Sequence, residues 1–546
     1  MHACQRIHSW QRPRKRTRAI IIMNGWDRLL RMALAGFLLA ALAACGSLPP
    51  AKDRPAEHAA SADPSTRLAK IAAASTPPGE HSGFRLMPLG VYSLDARIQL
   101  AQRAQQSLVV QYYQLENDAV GRLLLRTLRE AAARGVKVRV LVDDLYTVKS
   151  QQLLLALSET PNVQVRLYNP FCCGRNGFLS RFAASPFEIV RLNHRMHNKL
   201  FIADGAMAVV GGRNIADEYF VLSEAQNFID MDSLVVGKVV PQLESIFDAY
   251  WNSVQVWPIA DIVKGEGGHM PGSAEFDDWI GMAAPPPKIV LPPSDILGYG
   301  PIAEELDGGR MGLLWGEARA LADPPTKPET MTADEAISTS VTMKVWGLLM
   351  DAKTEVDLTS PYLVPGERGM AAFDDLAKRK VKLTLLTNSL AANDEPLVHT
   401  GYARYRERLL QSGADLYELS PQRTSKGERF GMFGKSLGRL HAKTAAIDRT
   451  RIFIGSMNLD PRSASQNTEM GLVVDSPQLA REMLRIINIS KLQNSYRLRL
   501  AKDTGTLQWL TNDGEKEVIL TSEPESDFFQ RFYNMLIAPI VPEMLL

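Results

Sequence analysis

Two stretches of the 546-residue chain carry the same four polar residues at the same spacing. The first is HNKLFIADGAMAVVGGRN, residues 197–214; the second is HAKTAAIDRTRIFIGSMN, residues 441–458. Histidine, lysine, aspartate and asparagine stand at offsets 0, 2, 7 and 17 in both, so His197, Lys199, Asp204 and Asn214 match His441, Lys443, Asp448 and Asn458. Histidine is both a nucleophile and a proton carrier near neutral pH. A phosphodiester asks for such a group, for an acid that protonates its poor alkoxide leaving group, and for donors around its non-bridging oxygens. Two histidines facing one phosphorus can divide the first two tasks. Lys199 and Lys443 supply charge, and Asn214 and Asn458 supply neutral donors. Residues two apart on a strand share a face, so the H-x-K step places imidazole and ammonium together. Asp204 and Asp448 fall where the chain must turn back, and are expected to support the loop.

A working histidine wants its far ring nitrogen held by a carboxylate. The first repeat offers Asp230 in FIDMDSLVV, with Asp232 as a rival; the second offers Glu469 in NTEMGLVV. His194, three residues before His197, would lie on the opposite face of a strand, which argues against a shared metal ion. It is expected at the mouth of the site or in solvent. His269 and His399 have no motif around them, and Gly211–Gly212 reads as a turn or close-packing feature, not as a phosphate loop.

The elements that would carry these motifs also occur twice. In the first pass a helix is expected over 94–106 with Ser93 as its cap, a strand over 107–115, a helix over 121–134 stopped at Gly135, and strands over 136–144 and 163–170. In the second pass a strand is expected over 354–365, a helix over 370–380, a strand over 381–389, a helix over 402–412 closed by Gly413, and a strand over 415–421. Strand–helix–strand runs of this kind favour a mixed, largely parallel sheet covered by helices.

The two passes divide the chain. Residues 84–254 form the first half and 341–546 the second; 255–340, rich in Pro, Gly and Asp, read as a linker and cover. Ahead of them, Met23–Gly46 has two arginines, a 13-residue apolar run from Met32 to Ala44, and the ending LAAC. That run is too short to span a bilayer and resembles a bacterial lipoprotein signal, covering 1–44, with Met23 a cleaner start than Met1. The mature chain would begin at a lipidated Cys45, with a flexible tether over 45–83. Gly46 is not the aspartate tied to inner-membrane retention, so a periplasm-facing, outer-membrane anchor is expected. Adjacent Cys172 and Cys173 suit neither a structural disulfide nor a metal. The formal charge is +2, but six basic residues lie within 1–22, and from Cys45 onward the balance is about −5. Such a body has no general pull on nucleic acid.

The paired motifs, within VVQYYQLENDAVGRLLL, RMHNKLFIADG, VVGGRNIADEYF and GSMNLDPRSASQNTEMGLVVDSP, resemble the phospholipase D superfamily, and more narrowly the bacterial cardiolipin synthases of the third type. The resemblance runs over about 90–545. It implies an α/β fold of two duplicated α-β-α sandwich halves, with mixed, mostly parallel sheets, meeting across a pseudo-twofold as an internal pseudo-dimer in a monomer. It implies phosphatidyl transfer between phospholipids at a membrane surface through a covalent phosphohistidine, with no cofactor and no metal. His197 would be the nucleophile and His441 the acid and then the base, with Asp230 and Glu469 orienting the rings. Phosphatidylethanolamine would be the donor and phosphatidylglycerol the acceptor. Hydrolysis to phosphatidic acid differs only in taking water as acceptor, and stays open at this level. A non-catalytic envelope scaffold would have no need of two full His–Lys–Asn sets. Tyr112, Tyr113, Tyr219, Phe220, Tyr362 and Leu363 are expected on the rim of the site.

Overall fold

The computed structural model describes residues 48–50, 54–79, 81–327, 333–426, 436–513 and 516–537. The expected signal segment and Cys45 lie outside the described residues.

Twenty strands are described. β1 to β10 are Ser82–Met87, Ser107–Tyr112, Lys137–Asp143, Val163–Tyr168, Lys199–Ala203, Met207–Gly211, Gln226–Ile229, Asp232–Gly237, Val256–Pro258 and Leu314–Ala322. β11 to β20 are Glu355–Thr359, Lys382–Asn388, Asp415–Leu419, Leu437–Leu440, Thr444–Ile447, Arg451–Gly455, Met470–Asp475, Ser495–Leu500, Leu507–Asp513 and Lys516–Leu520.

In the first half the strands lie in the order β9-β4-β3-β2-β5-β6-β8-β1. The second half repeats this as β18-β13-β12-β11-β15-β16-β17-β10, extended past β18 by β19 and β20. The equivalent edge strands β1 and β10 then pair antiparallel, Ser82 with Gly316 and Phe84 with Leu314, and close the two into one 18-stranded sheet. Antiparallel pairing of equivalent strands is what a local twofold between the halves produces. Space at this seam is tight: a side chain on Gly83 would meet the Trp315 ring, and one on Gly316 the Asp475 carbonyl.

The sheets are mixed, but not mostly parallel. Within the large sheet, parallel pairing is confined to β2-β3-β4 and β11-β12-β13, the strands joined by helical crossovers. The remaining neighbours come from hairpins and edge returns, which pair antiparallel.

The helix Ala119–Ala133 is followed by Gly135 at φ +93° and the helix Arg406–Gln411 by Gly413 at φ +90°, the left-handed stop that glycine takes without strain. Helices Gly90–Arg103, Ala119–Ala133 and Gln151–Ser158 bury Leu94, Leu124 and Leu154 with β2 and β3 residues in a first-half core. A matching core in the second half holds Met370, Phe373 and Leu409. Between them, helices Val240–Trp251 and Pro477–Gln493 share a single core in which Phe247 and Val235 belong to one half and Leu472 and Met483 to the other. One continuous apolar layer therefore crosses the boundary, and the two half-sites are held in fixed relation.

Three boundaries differ from expectation. The linker 255–340 is not only a cover: it supplies β9 and β10, and β10 completes the second half-sheet. The tether is not free at its described residues 48–50 and 54–79. Trp257 donates to the Pro49 carbonyl at 3.1 Å, Glu57 pairs with Arg166 at 2.7 Å, and the helix Arg67–Ser75, capped by Thr66, buries Leu68 and Ile71. Ser93 is no cap, because its helix begins three residues earlier, at Gly90; its hydroxyl instead donates to Asp232 at 2.5 Å.

Candidate active site

Each motif histidine is placed by a short parallel pairing with the opposite half. β14 runs alongside β7 in the register Leu440 to Ile229, and the next residues on each strand are His441 and Asp230. The mirror contact is a parallel bridge between Met196 and Thr468, followed by His197 and Glu469. Backbone bonds lock both steps: His441 N–H donates to the Ile229 carbonyl at 2.8 Å and His197 N–H to that of Thr468 at 2.9 Å. The carboxylates therefore cross over. His441 Nδ1 is hydrogen-bonded to Asp230 Oδ2 at 2.6 Å, and His197 Nδ1 lies 3.2 Å from Glu469 Oε1. Both carboxylates are fully buried, while the imidazoles keep 12% and 15% exposure, so the rings point from the core to an opening.

The two lysines follow: Lys199 opens β5, and Lys443 immediately precedes β15. Lys199 Nζ donates to the His197 carbonyl at 2.6 Å and Lys443 Nζ to that of His441. Both ammonium groups are buried. Burial first, and then the charge of Lys443, lowers Lys199 to about 7; burial lowers Lys443 to about 8. Burial also pulls His197 down to about 4 against the pull of Glu469, and lowers His441 through burial and the charge of Lys443. The carboxylates move with their partners. Despite burial Asp230 is held down at about 2 by His441, and Glu469 is lowered by His197. At neutral pH His197 is a neutral imidazole over its carboxylate, beside lysines close to their titration points.

Asn214 and Asn458 are buried next to these groups, and the Oδ1 atom of each makes no hydrogen bond. Asn214 Nδ2 donates to the Tyr219 hydroxyl at 2.9 Å. Tyr219 stands edge-on to His441 with ring centroids 5.1 Å apart, and Tyr113 edge-on to His197 at 4.3 Å. The motif aspartates lie outside this cluster. Asp204, at φ +52°, accepts backbone N–H groups of Gln105, Gln106 and Ser107 at 2.8–3.1 Å; Asp448, at φ +51°, accepts those of Lys353, Thr354 and Glu355 at 2.7–3.1 Å. Each clamps the hairpin turn to the start of the neighbouring central strand.

Asp232 is not a histidine partner. It pairs with Arg97 at 3.0 Å inside the first-half core. His194 Nδ1 lies 3.1 Å from the Gln466 carbonyl, across the boundary between halves. His269 is a surface residue paired with Glu275, and His399 is fully buried against Arg406. Cys172 and Cys173 form no disulfide, and the Cys172 Sγ atom lies 3.7 Å from the Ser185 hydroxyl. Of the expected rim residues, Tyr112, Phe220 and Leu363 are core side chains. Tyr112 alternates to the face opposite Tyr113 and bonds Arg97 at 2.8 Å. Tyr362 donates to Asp394 at 3.0 Å.

Sequence reasoning missed the groups that hold Glu469. Ser456 donates to its Oε2 at 2.5 Å and Ser463 to its Oε1 at 2.9 Å. Asp323, from the end of β10, accepts the Glu469 N–H at 3.0 Å and pairs with Lys327 at 2.8 Å; Lys327 in turn donates to the Ser463 and Asn467 carbonyls. Only Ser456 left a readable signal: it stands where the first repeat has Gly212, and that glycine has no room for a side chain beside Asp230. Asp460, capping the helix Pro461–Ser465, is raised to about 7 by burial.

A cleft of about 1270 Å³ lies elsewhere in the first half, lined by Lys149, Arg175 and Lys264. It contains no motif residue. Among the described residues no helix is long and apolar enough to cross a membrane.

Comparison with known proteins fits this geometry. A family model described as "Cardiolipin synthase, PLD-like domain" matches residues 97–251 and 345–489, one match in each half. Cardiolipin synthase C of Escherichia coli K12 is 37% identical over 463 residues, covering 83% of this chain and 94% of that protein. An uncharacterized protein of Helicobacter pylori J99 is 30% identical over 461 residues, covering 83% and 87%. Among solved structures, phosphatidylserine synthase of Haemophilus influenzae Rd KW20 matches with a TM-score of 0.54 over 85% of this chain and 95% of that one; at 13% identity this shows a shared fold.

Proposed function

The chain belongs to the phospholipase D-like cardiolipin synthase family, and from that premise we propose that it is a phosphatidyltransferase that joins glycerophospholipids through a covalent phosphohistidine. The observation that carries the reading is the pair of crossed histidine–carboxylate contacts, which makes one site from two halves. With Nδ1 turned to a carboxylate, each ring offers Nε2 to the opening. His197, held near 4 by burial, is the nucleophile. Its Nε2 lone pair attacks the donor phosphorus, and the bond from phosphorus to the headgroup oxygen breaks. His441, protonated on both ring nitrogens once the anionic phosphodiester is bound and held at Nδ1–H by Asp230, delivers its Nε2 proton to the departing alkoxide. The acceptor alcohol then gives its proton to His441 and attacks phosphorus, and the phosphorus–nitrogen bond breaks. Lys199 and Lys443 offset the charge on the non-bridging oxygens, and Asn214 and Asn458 add neutral donors. Phosphatidylethanolamine is the proposed donor and phosphatidylglycerol the acceptor. A lipidated Cys45 holds the enzyme on the periplasmic side of the envelope.

The test is incubation of the purified full chain with vesicles of labelled phosphatidylglycerol, with and without phosphatidylethanolamine, followed by lipid analysis. Labelled cardiolipin that depends on phosphatidylethanolamine is expected. Phosphatidic acid as the sole product would assign water as the acceptor and reject transfer.

A further inference from the structure

Between β4 and the first motif the chain makes an excursion, residues 171–193, five of whose apolar side chains face outward. Leu179 is 80% exposed, Val190 75% and Phe187 73%, and Ile189 and Phe178 are about half exposed. Bulky apolar groups scattered singly on a surface need no explanation, but five within thirteen residues form a patch. The excursion is also firmly built. Arg175 pairs with the buried Asp144 at 2.6 Å, and the fully buried Arg181 donates to the Asp144 carbonyl at 2.5 Å. Beneath it Leu145, Phe171 and Leu192 form a small core of their own, with Tyr113, Tyr146 and Phe182 packed against it. The outward side chains thus stand on a fixed base.

The patch is continuous with the active site. Tyr113 lies edge-on to His197 at 4.3 Å, Tyr146 meets Tyr113 at 5.3 Å, and Phe178 stacks on Tyr146 at 6.3 Å. An unbroken row of rings leads from the histidine to the exposed surface. At its inner end the Lys199 ammonium lies 5.5 Å from the centre of the Tyr113 ring.

We propose that residues 178–190 are the surface by which the enzyme rests on a phospholipid bilayer, and that the ring row leads the glycerol end of a lipid to His197. This rests on the phosphatidyl-transfer reading. A diacyl lipid must bring its phosphodiester between two recessed histidines while its chains stay in the apolar phase, and that requires an apolar rim in contact with the bilayer beside the opening. The patch lies on that rim, where a soluble substrate would require no such surface.

The surface can be tested apart from the chemistry. In vesicles of phosphatidylethanolamine and phosphatidylglycerol with brominated acyl chains, the full chain carrying Phe187→Trp should show quenchable fluorescence beyond that of its parent. The same excess should appear in a Phe187→Trp, His197→Ala double variant, because seating precedes reaction. No excess quenching in either would overturn the proposal. Separately, Leu179→Asp with Val190→Asp should lower turnover of vesicle lipid at least tenfold and leave turnover of monomeric dihexanoyl lipids unchanged. Equal loss on both substrates would assign these side chains to folding, and no loss on either would deny them a role. Self-association of the parent that the double aspartate variant abolishes, without quenching, would make a second copy the occupant instead. If the parent transfers no phosphatidyl group from either substrate, the functional reading fails, and the quenching measurement still decides the surface.

Discussion

The two halves repeat one another in strand order and in motif, but their histidines are supported differently. His441 makes a short hydrogen bond to Asp230, whose other oxygen accepts the Met231 N–H at 2.7 Å and whose carbonyl accepts from Arg213 at 2.6 Å. His197 sits farther from Glu469, with Nδ1 off the line of a well-formed bond, and Glu469 is already committed to the hydroxyls of Ser456 and Ser463. A carboxylate bonded tightly to an imidazole favours the protonated ring; one shared among other donors favours it less. Duplication thus retained the reacting groups and changed the supports. The difference suits His441 to holding a proton and His197 to presenting a lone pair.

The sharpest way to break this comparison is to remove one ring at a time. His197→Ala and His441→Ala should each lower cardiolipin formation by about 10⁴-fold or more, at the upper end of what acid–base groups contribute. A donor with a nitrophenyl headgroup then separates the roles, because nitrophenolate leaves without a proton. With that donor His441→Ala should release a burst of nitrophenol, and His197→Ala none. The reverse pattern would exchange the two assignments. Next in size are the carboxylates. Asp230→Asn should cost about 10³-fold in kcat, somewhat less than the roughly 10⁴-fold that the same change costs in a hydrolytic triad. Glu469→Gln, acting through the longer contact, should cost about tenfold less. Equal losses would mean that the difference in geometry has no chemical consequence.

Much of this arrangement was legible in the sequence, and its gaps have physical causes. The central strands β2, β3 and β4 and their counterparts show as local runs of β-branched residues between helices, and the repeated offsets fix His197 against His441. Which carboxylate serves which histidine was not legible. It depends on pairing between four-residue strands more than 200 residues apart in the chain, Leu437–Leu440 against Gln226–Ile229, and nothing within either strand names its partner. β10 was hidden in a segment whose proline and glycine content reads as linker, although EARALA alternates as a strand should. Tyr112 and Tyr113 illustrate the limit of composition. One strand position decides that the first enters the core with Arg97 and the second meets His197. Lys327, four residues after Asp323, looks like any lysine until burial shows it tied to two carbonyls beside Glu469.

A smaller effect probes the supports directly. Ser456→Gly gives the second half the residue that the first has at Gly212, and removes one charge-assisted bond from Glu469. Such bonds contribute about 1.5–3 kcal/mol. A fall in kcat of about tenfold is expected, with KM little changed, since no group facing the lipid is lost. A rise in KM at constant kcat would place Ser456 in lipid binding.

The smallest expected effect is a pH dependence that also distinguishes the halves. Lys199, near 7, loses its proton about one unit before Lys443, near 8. Raising the pH through this range removes positive charge from the phosphate position, so kcat/KM for the donor should fall severalfold between pH 7 and 9. A bound phosphodiester stabilises both ammonium groups, so the corresponding fall in kcat should begin at higher pH. Lys199→Arg keeps its charge throughout. It should remove the first part of the decline and leave the part due to Lys443, even if its own maximum is lower, because a guanidinium does not fit an ammonium position freely. Lys443→Arg should do the opposite, delaying only the later part. A profile flat from pH 6.5 to 9 would show that neither lysine titrates in the free enzyme and that the two clamps are electrostatically equal.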